Sequence, residues 1–172
     1  MKKNYKYKRI LIFGASGSGK NWLGERLSEK SGIKFYDTDE IAWKKKYTAK
    51  RSRGEKRKKV EGITKKESWV IGTGTISYVG SAERRAQLII ILQSNAFLEA
   101  FRVFSRYVKR KFKGGSDTLG KTLELIWWSY KDNHTSSGSR YNYFNKLKLK
   151  YPNKVKFFSQ REKHDFLEGF GG

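Results

Sequence analysis

The 172-residue sequence has no cysteine and a single proline, Pro152. Without cysteine the chain can form neither disulfides nor thiolate metal sites, and without further prolines it has no proline-rich linker. Acidic residues are also scarce, with 16 Asp and Glu against 39 Lys and Arg, and the net charge is +23. A surface of this sign attracts phosphates, nucleic acids and anionic membranes without choosing among them. Such an excess of lysine is also what a compositionally biased genome would produce.

Long apolar runs are missing as well. The first run, residues 10–13, ends at Gly14, which is too short for a signal-peptide core, and no segment approaches the length of a membrane span. We therefore expect no membrane association and a cytoplasmic location. The 37% of hydrophobic residues, with 15% aromatics, argue against intrinsic disorder despite the charge. The length predicts a single domain over residues 1–172.

Residues 14–21 carry the most specific signal. Directly after the apolar run they read GASGSGKN, which fits the P-loop spacing G-x-x-x-x-G-K as far as Lys20. Glycines let the backbone wrap around a phosphate, and a helix beginning near the lysine adds its positive dipole end. A Gly-Ser-rich turn is the plainer alternative. The strand, loop, helix and lysine together favour nucleotide binding, by Gly14, Ala15, Ser16, Gly17, Ser18, Gly19, Lys20 and Asn21.

Asn21 departs from the P-loop pattern, which has Ser or Thr at this position. The usual hydroxyl ligates Mg²⁺ and hydrogen-bonds the terminal phosphates. An amide oxygen is also a hard ligand that Mg²⁺ accepts, although it sits one atom further out. We therefore expect ATP to bind and Asn21 to be a metal ligand, with metal placement and rate altered.

Short apolar runs alternate with helical stretches, which is typical of a parallel sheet covered by helices. The run Leu88–Leu92 indicates a central strand buried on both faces. The pattern predicts strands at about 8–13, 33–37, 68–72, 87–92 and 154–158. Helices are predicted near 19–31, 55–67, 95–112, 118–131, 141–150 and 160–168, with mobile stretches at 44–54 and 134–139.

Two acids, Asp37 and Asp39, follow the second predicted strand. The carboxyl ends of strands form the crevice in which open α/β sheets bind ligands. If these acids approach the P-loop, Asp37 can help to hold the metal, and Asp39 can orient or deprotonate an acceptor hydroxyl. The alternative is a pair of residues that cap the next helix.

The order of P-loop, helix and the segment FYDTDEI at 35–41 resembles shikimate kinase and the wider adenylate-kinase-like superfamily of small-molecule kinases. A closer resemblance is to the DNA topology modulation (FlaR-related) proteins of that superfamily. It implies a three-layer α/β P-loop NTPase fold, with a five-stranded parallel sheet flanked by helices and a lid-like helical segment. The residues that carry it are Tyr36, Asp39 and Trp43, Trp69-Val70-Ile71, Arg85-Ala86, Ile126-Trp127, Val155, Ser159 and Glu162.

The resemblance also implies how the chain is divided. An acceptor-side segment would occupy about 40–67, and a lid-like segment about 106–121 with its hinge at Gly114-Gly115. In such enzymes lid arginines close over the transferring phosphoryl group, which makes Arg106 and Arg110 candidate catalytic residues. A solvated basic face is the alternative for these arginines.

Two further positions differ from the family pattern. Acids are expected after the strands that end near 72 and 92, where this chain has Gly72 and Gln93. With Asn21, these positions lack groups that usually hold Mg²⁺, which indicates a slow kinase or a nucleotide-binding protein without turnover. The glycines of the segment 72–75 predict either close approach of a substrate or an ordinary tight turn.

Several aromatic and basic stretches remain. Phe97, Phe101, Phe104, Val108 and Phe112 recur at helical spacing and predict an apolar face turned toward the sheet. Trp127-Trp128, with Leu123 and Ile126, is predicted to belong to the core, the alternative being a base-stacking platform. The basic stretch 44–66 suits an anionic acceptor, a nucleic-acid backbone with Trp43 and Tyr47 stacking on bases, or plain solvation.

Three functions are compatible with these observations. The first is a phosphotransferase that uses MgATP and a small-molecule phosphoryl acceptor. The second is a catalytically weakened nucleotide-binding module whose basic surface docks on nucleic acid. The third is a basic interaction protein with a vestigial P-loop.

Overall fold

The computed structural model describes residues 5–45, 49–93, 96–112, 118–134 and 139–171. The strands are β1 Arg9–Phe13, β2 Phe35–Asp37, β3 Trp43–Lys45, β4 Ala49–Lys50, β5 Trp69–Thr73, β6 Leu88–Leu92 and β7 Val155–Phe158. The helices are α1 Lys20–Ser31, α2 Thr38–Ile41, α3 Arg53–Thr64, α4 Gly80–Arg85, α5 Ala96–Phe112, α6 Leu119–His134, α7 Ser139–Lys150 and α8 Gln160–Glu168.

The described residues contain a five-stranded parallel sheet in the order β2-β5-β1-β6-β7. The register pairs Phe13 with Thr73 and Asp37 with Gly72, so β1, β2 and β5 end at the same edge of the sheet. The loop after β1 and the acids after β2 therefore meet at that edge. The predicted α/β fold with a five-stranded parallel sheet flanked by helices is confirmed.

Apolar side chains cover both faces of this sheet. Leu11 and Phe13 of β1 belong to the core on one face, and Ile10 and Ile12 to the core on the other. Strand β6 is equally buried, since none of its residues is more than 6% exposed. This confirms the prediction of a central strand with two covered faces, as expected where helices lie on both sides of a parallel sheet.

Four short elements, α2, α4, β3 and β4, were missed by the sequence patterns. Helices α2 and α4 are too short to show a helical period, and β3 and β4 form an antiparallel pair within the stretch 44–54 that we expected to be mobile. Helix α2 is specified by its cap instead, because the carboxylate of Asp37 accepts a hydrogen bond from the Asp39 N–H.

The predicted orientation of α5 is wrong. Phe97, Phe101, Phe104 and Phe112, expected to face the sheet, are exposed by 42–88%. The same helix instead turns Val103 inward, with 7% exposure. Periodicity identifies an apolar face but not what covers it, and here α5 packs against α6 rather than lying flat on the sheet.

The predicted burial of the aromatic residues in α6 is also wrong. Trp127 and Trp128 are 66% and 59% exposed, and Leu123 is 52% exposed. Among the α6 side chains that the structure describes, the buried ones are the small polar residues Thr122 and Ser129. Among the described helices, none is both long and apolar enough to cross a bilayer.

Candidate phosphate-binding site

The loop between β1 and α1 has the backbone that its sequence predicts. Gly17 and Gly19 have φ of 86° and 90°, in the left-handed region that glycine adopts without strain. Helix α1 begins at Lys20, and its N-cap, Gly19, supplies no side-chain cap. Among described residues, the N–H groups of Gly17, Gly19 and Lys20 meet no protein acceptor. Free donors at a helix N-terminus suit an anion.

Neighbouring elements hold the loop in place. The Gly14 N–H donates to the Thr73 carbonyl oxygen of β5 at 3.1 Å. Arg102 of α5 donates to the Gly17 carbonyl oxygen at 2.9 Å, and Gln160 of α8 donates to that of Ser18 at 3.3 Å. Sequence patterns did not single out Arg102 or Gln160, because the contact of each with the loop depends on how its helix is docked.

The structure brings Lys20 and Asp39 together. The Lys20 ammonium lies 3.6 Å from Oδ2 of Asp39. The Lys20 side chain is only 10% exposed, whereas that of Asp39 is 68% exposed. Asp37 caps α2 as described, and Asp39 faces the loop lysine. Helix capping and proximity to the P-loop were alternatives for these two acids. The structure shows the first for Asp37 and the second for Asp39.

Asn21 lies beside Asp37. Its Nδ2 donates to Oδ2 of Asp37 at 2.5 Å, while its buried Oδ1 has no hydrogen-bond partner within the part of the chain described. A buried, unpaired amide oxygen next to a carboxylate is the hard donor set that Mg²⁺ takes. The described residues contain no group of three or more acids or histidines able to hold a metal. Mg²⁺ is commonly bound by one or two protein groups together with phosphates and water, so these two residues fit it.

A cavity of about 280 Å³ runs along the loop. It brings together loop residues, the start of α1, and single side chains from α2 and α5. Its lining residues are Ala15, Ser16, Gly17, Gly19, Lys20, Asn21, Trp22, Asp39 and Arg102. Cationic side chains and a helix N-terminus thus surround a space open to small molecules.

The segment 72–75 serves packing and loop support. A Cβ on Gly72 would lie 2.9 Å from the Phe35 ring, so glycine is needed there for packing in the core. Thr73 is fully buried, and its hydroxyl accepts from the Thr38 hydroxyl at 3.1 Å. Tyr78 is nearby and donates to the Thr38 carbonyl oxygen at 3.4 Å. Burial raises the pKa of Tyr78, and the carboxylates of Asp39 and Asp37 add to that effect.

The lid-like segment is described only in part. Residues 113–117, with the hinge predicted at Gly114-Gly115, and the side chain of Arg106 lie outside the described residues. Arg110 borders a second cavity of about 170 Å³ between α5, α6 and the loop residue Ser16. Arg110 and the loop residue Ser16 thus line the same cavity, and the lid role of Arg110 stays a prediction.

The basic stretch 44–66 uses several of its cations internally. Arg51 donates to the Ile41 carbonyl oxygen at 3.0 Å, and Arg53 to that of Ser77 at 3.0 Å. Lys44 pairs with Glu55 at 2.8 Å, and the hydrogen bond from Lys44 and those from Ser52 lower the pKa of Glu55 to about 2. Arg57 pairs with Glu61 at 2.9 Å, whereas Lys58 and Lys59 are exposed, and Tyr47 is outside the described residues.

Solved structures share this architecture. The chain aligns with shikimate kinase from Acinetobacter baumannii in complex with shikimate, at a TM-score of 0.59 and 16% identity over 95% of this chain and 90% of that one. A gluconokinase from Sinorhizobium meliloti 1021 aligns at 0.52 and 15% identity, over 93% and 91% of the two chains. At these identities the likeness shows the fold, which is that of P-loop kinases.

No protein-family model matches the chain. A sequence relative is found in Bacillus subtilis (strain 168), the uncharacterized protein YqaC. It is 33% identical, and the alignment covers 73% of this chain and 74% of YqaC. This identity over about three quarters of both chains shows that the chain belongs to the same family as YqaC.

Proposed function

We propose that the protein is an ATP-dependent small-molecule kinase. It transfers the γ-phosphoryl group of MgATP to a hydroxyl or phosphate of a small acceptor of the nucleoside or nucleotide type. The main support for this proposal is the 3.6 Å distance between the Lys20 ammonium and Oδ2 of Asp39. A phosphate-binding lysine and an exposed carboxylate at that separation suit a transferring phosphoryl group and the group that receives it.

In the proposed reaction the loop N–H groups and Lys20 bind the β- and γ-phosphates. The acceptor oxygen attacks γ-phosphorus, and the bond between γ-phosphorus and the β,γ-bridging oxygen breaks. ADP leaves with that electron pair. When the acceptor is a hydroxyl, Asp39 orients it and takes its proton. The 68% exposure of the Asp39 side chain leaves this carboxylate open to an incoming acceptor.

Asn21 and Asp37 would hold Mg²⁺. The unpaired Oδ1 of Asn21 and the adjacent carboxylate supply hard oxygen ligands. When bound, the metal offsets negative charge on the phosphates. The hydrogen bond between the two side chains already holds the amide in position beside the loop.

Lid arginines complete the proposed site. Arg110 lines the same cavity as the loop residue Ser16, and Arg106 precedes it by one helical turn on α5. Charge developing on the transferred group would be offset by these guanidinium groups as the segment 106–121 closes and excludes water.

We further propose that the family is adenylate-kinase-like and akin to the DNA topology modulation proteins. The support is the set of shared residues centred on Tyr36, Asp39 and Trp43, together with the fold shared with structures named as shikimate kinase and gluconokinase. The names of these neighbours favour phosphotransfer to a small molecule over the other classes.

The test is an acceptor screen with purified protein and MgATP, read out as ADP formation. Nucleosides, nucleotides, sugars and carboxylated rings are supplied one at a time, and Lys20→Met is run in parallel. We expect at least one acceptor to stimulate ADP formation by the wild type and none by the variant. ATP binding without stimulation by any acceptor class would contradict the kinase proposal.

A second candidate function is docking on single-stranded nucleic acid. The exposed phenylalanines of α5 share one side of that helix, and Trp127 and Tyr130 of α6 are stacked with ring centroids 6.2 Å apart. Exposed Lys109 and Lys111 follow on α5. Aromatic rings flanked by cations on a protein of charge +23 suit bases and phosphates together.

Titration with a fluorescent oligonucleotide tests this second function. Binding should weaken steeply with salt, and Trp127→Ala should weaken it by about 5- to 100-fold, as expected for loss of one stacked base. Leu149→Ala, at an exposed residue on α7, is the control. Binding that is unchanged in Trp127→Ala would refute the stacking surface.

A further inference from the structure

Helix α8 places a second lysine against the phosphate-binding loop. Lys163 is only 4% exposed, and its ammonium lies 2.9 Å from the position that a Cβ on Gly19 would take. It donates to Oε1 of Gln160 at 2.8 Å and lies 4.7 Å from the centroid of the Trp22 ring. These contacts fix the ammonium at the start of α1.

This ammonium is in an unfavourable environment for a cation. Within the described residues no carboxylate pairs with Lys163, and the positive end of the α1 dipole is next to it. Burial, together with nearby Arg102, lowers the pKa of Lys163. A buried charge without a counterion is costly, and the helix dipole adds to the cost.

A further buried group beside the loop lacks a partner. The hydroxyl of Ser18 is buried and has no hydrogen-bond partner among the described residues, so it is free to donate to a ligand. Arg102, which hydrogen-bonds the Gly17 carbonyl oxygen, lies with Lys20 in the cavity wall. Cations without a carboxylate partner in the described part of the chain, Lys163 and Arg102, and an unpartnered buried hydroxyl beside one loop indicate an anionic ligand with several charges.

The order of the strands indicates which way a bound nucleotide would run along the sheet. The loop follows the central strand β1, Asp39 follows the edge strand β2, and Lys163 is on the helix that follows β7 at the opposite edge. A phosphoryl group that moves toward Asp39 must be at the β2 side of the loop. The remainder of a nucleotide must then extend toward β7 and α8.

We propose that Lys163 binds the inner, nucleoside-proximal phosphate of the nucleotide, whereas Lys20 binds the outer phosphates. This rests on the proposed function, because it takes the direction of the nucleotide from phosphoryl transfer at Asp39. Lys163 is a positioning residue, since it fixes the end of the nucleotide that does not react.

Measuring affinities for adenosine, AMP, ADP and ATP by calorimetry tests the assignment. Because the inner phosphate is present in all three nucleotides, Lys163→Met should weaken AMP, ADP and ATP by a similar factor of about 10 to 100, and leave adenosine unchanged. Lys20→Met should weaken ATP most and AMP least. Lys163→Arg should restore part of the lost affinity.

The controls separate binding from folding. Lys156→Met removes one exposed lysine from β7 and should leave every affinity within about twofold, which shows that total charge is not responsible. The melting temperature of nucleotide-free Lys163→Met should be no lower than that of the wild type, because the variant removes an uncompensated buried charge. A purely structural lysine would give a lower melting temperature with unchanged affinities, which would overturn the proposal.

The remaining outcomes are also decisive. A loss confined to ATP would overturn the inner-phosphate assignment, since it would put Lys163 at the outer end. Unchanged nucleotide affinity in Lys163→Met, with normal binding by the wild type, would refute this inference and leave the kinase proposal standing. Absence of nucleotide binding by the wild type would overturn both.

Discussion

Apolar residues recur regularly both in the strands of the sheet and in helix α5, but they are buried in the strands and exposed on the helix. In β1 and β6 the apolar runs are at most 6% exposed, whereas the phenylalanine stripe of α5 is 42–88% exposed. The strands are enclosed by helices on both faces, but the stripe on α5 meets no comparable layer within the described residues. An apolar pattern therefore specifies burial only where the topology supplies a partner.

The proposed site takes residues from both regions. Lys20, Asn21, Asp37 and Asp39 belong to the ends of the sheet strands and the helices that follow them. Arg102 and Arg110 come from α5. We interpret the residues at the ends of the sheet strands as the fixed part of the site. The arginines of α5 are interpreted as the part that adjusts when a nucleotide binds.

The largest change in ATP affinity is expected at Lys20, in the fixed part of the site. Lys20→Met should weaken ATP binding by about 100-fold or more, because the outer phosphates lose a charge-assisted hydrogen bond in a half-enclosed cavity. Calorimetric titration with ATP measures it. Lys109→Met on α5 is the matched control. An ATP affinity equal to that of the wild type in Lys20→Met would show that Lys20 does not bind the phosphates.

Truncation of apolar side chains should separate the two regions by stability. Ile90→Ala in β6 should lower the free energy of unfolding by about 2–5 kcal/mol, because it leaves a cavity in the core. Phe101→Ala, at a residue 61% exposed on α5, should change it by about 0.5 kcal/mol or less. Urea denaturation measures both. Equal losses would mean that the α5 stripe is covered in solution.

Glycine-to-alanine substitutions should lower stability in the sheet and raise it in α6. Gly72→Ala should cost about 1–3 kcal/mol because the new methyl group meets the Phe35 ring, and Phe35→Leu in the same chain should recover part of that loss. Gly120→Ala in α6 meets nothing within 4 Å and should stabilise the helix by up to about 1 kcal/mol. A neutral Gly72→Ala would show that Phe35 repacks freely.

The smallest effect is expected at the adjusting part of the site. Arg110→Gln should lower kcat by about tenfold with the affinity for ATP retained, since a lid arginine acts on the transferring group rather than on the bound nucleotide. Steady-state kinetics with the acceptor found in the screen measures this, with Lys111→Gln as the control. A loss of ATP affinity with unchanged kcat would assign Arg110 to nucleotide binding instead.

Much of the fold was predictable from local patterns. The five sheet strands and six longer helices lie within a few residues of their predicted positions, because each carries a clear period or a cap such as Ser159 with Glu162. The P-loop also follows from local sequence, since glycine at positions with positive φ can be read from its spacing.

The remainder depends on contacts between distant segments. Nothing local to Arg102, Gln160 or Lys163 shows that α5 and α8 reach the loop, and nothing local to Phe101 shows that its stripe stays exposed. Gly72 was interpreted through its position relative to kinases, whereas its reason is the ring of Phe35. Such features follow from docking, which periodicity does not specify.

In the proposed function, Lys20 and Asp39 lie on either side of the site of phosphoryl transfer. The most direct test compares wild type and Asp39→Asn in acceptor-stimulated ADP formation, with ATP affinity measured on the same samples. We predict that kcat falls about 10²- to 10⁴-fold, as expected for loss of a general base, while the affinity for ATP stays within about twofold. An Asp39→Asn variant with the kcat of the wild type would contradict the account.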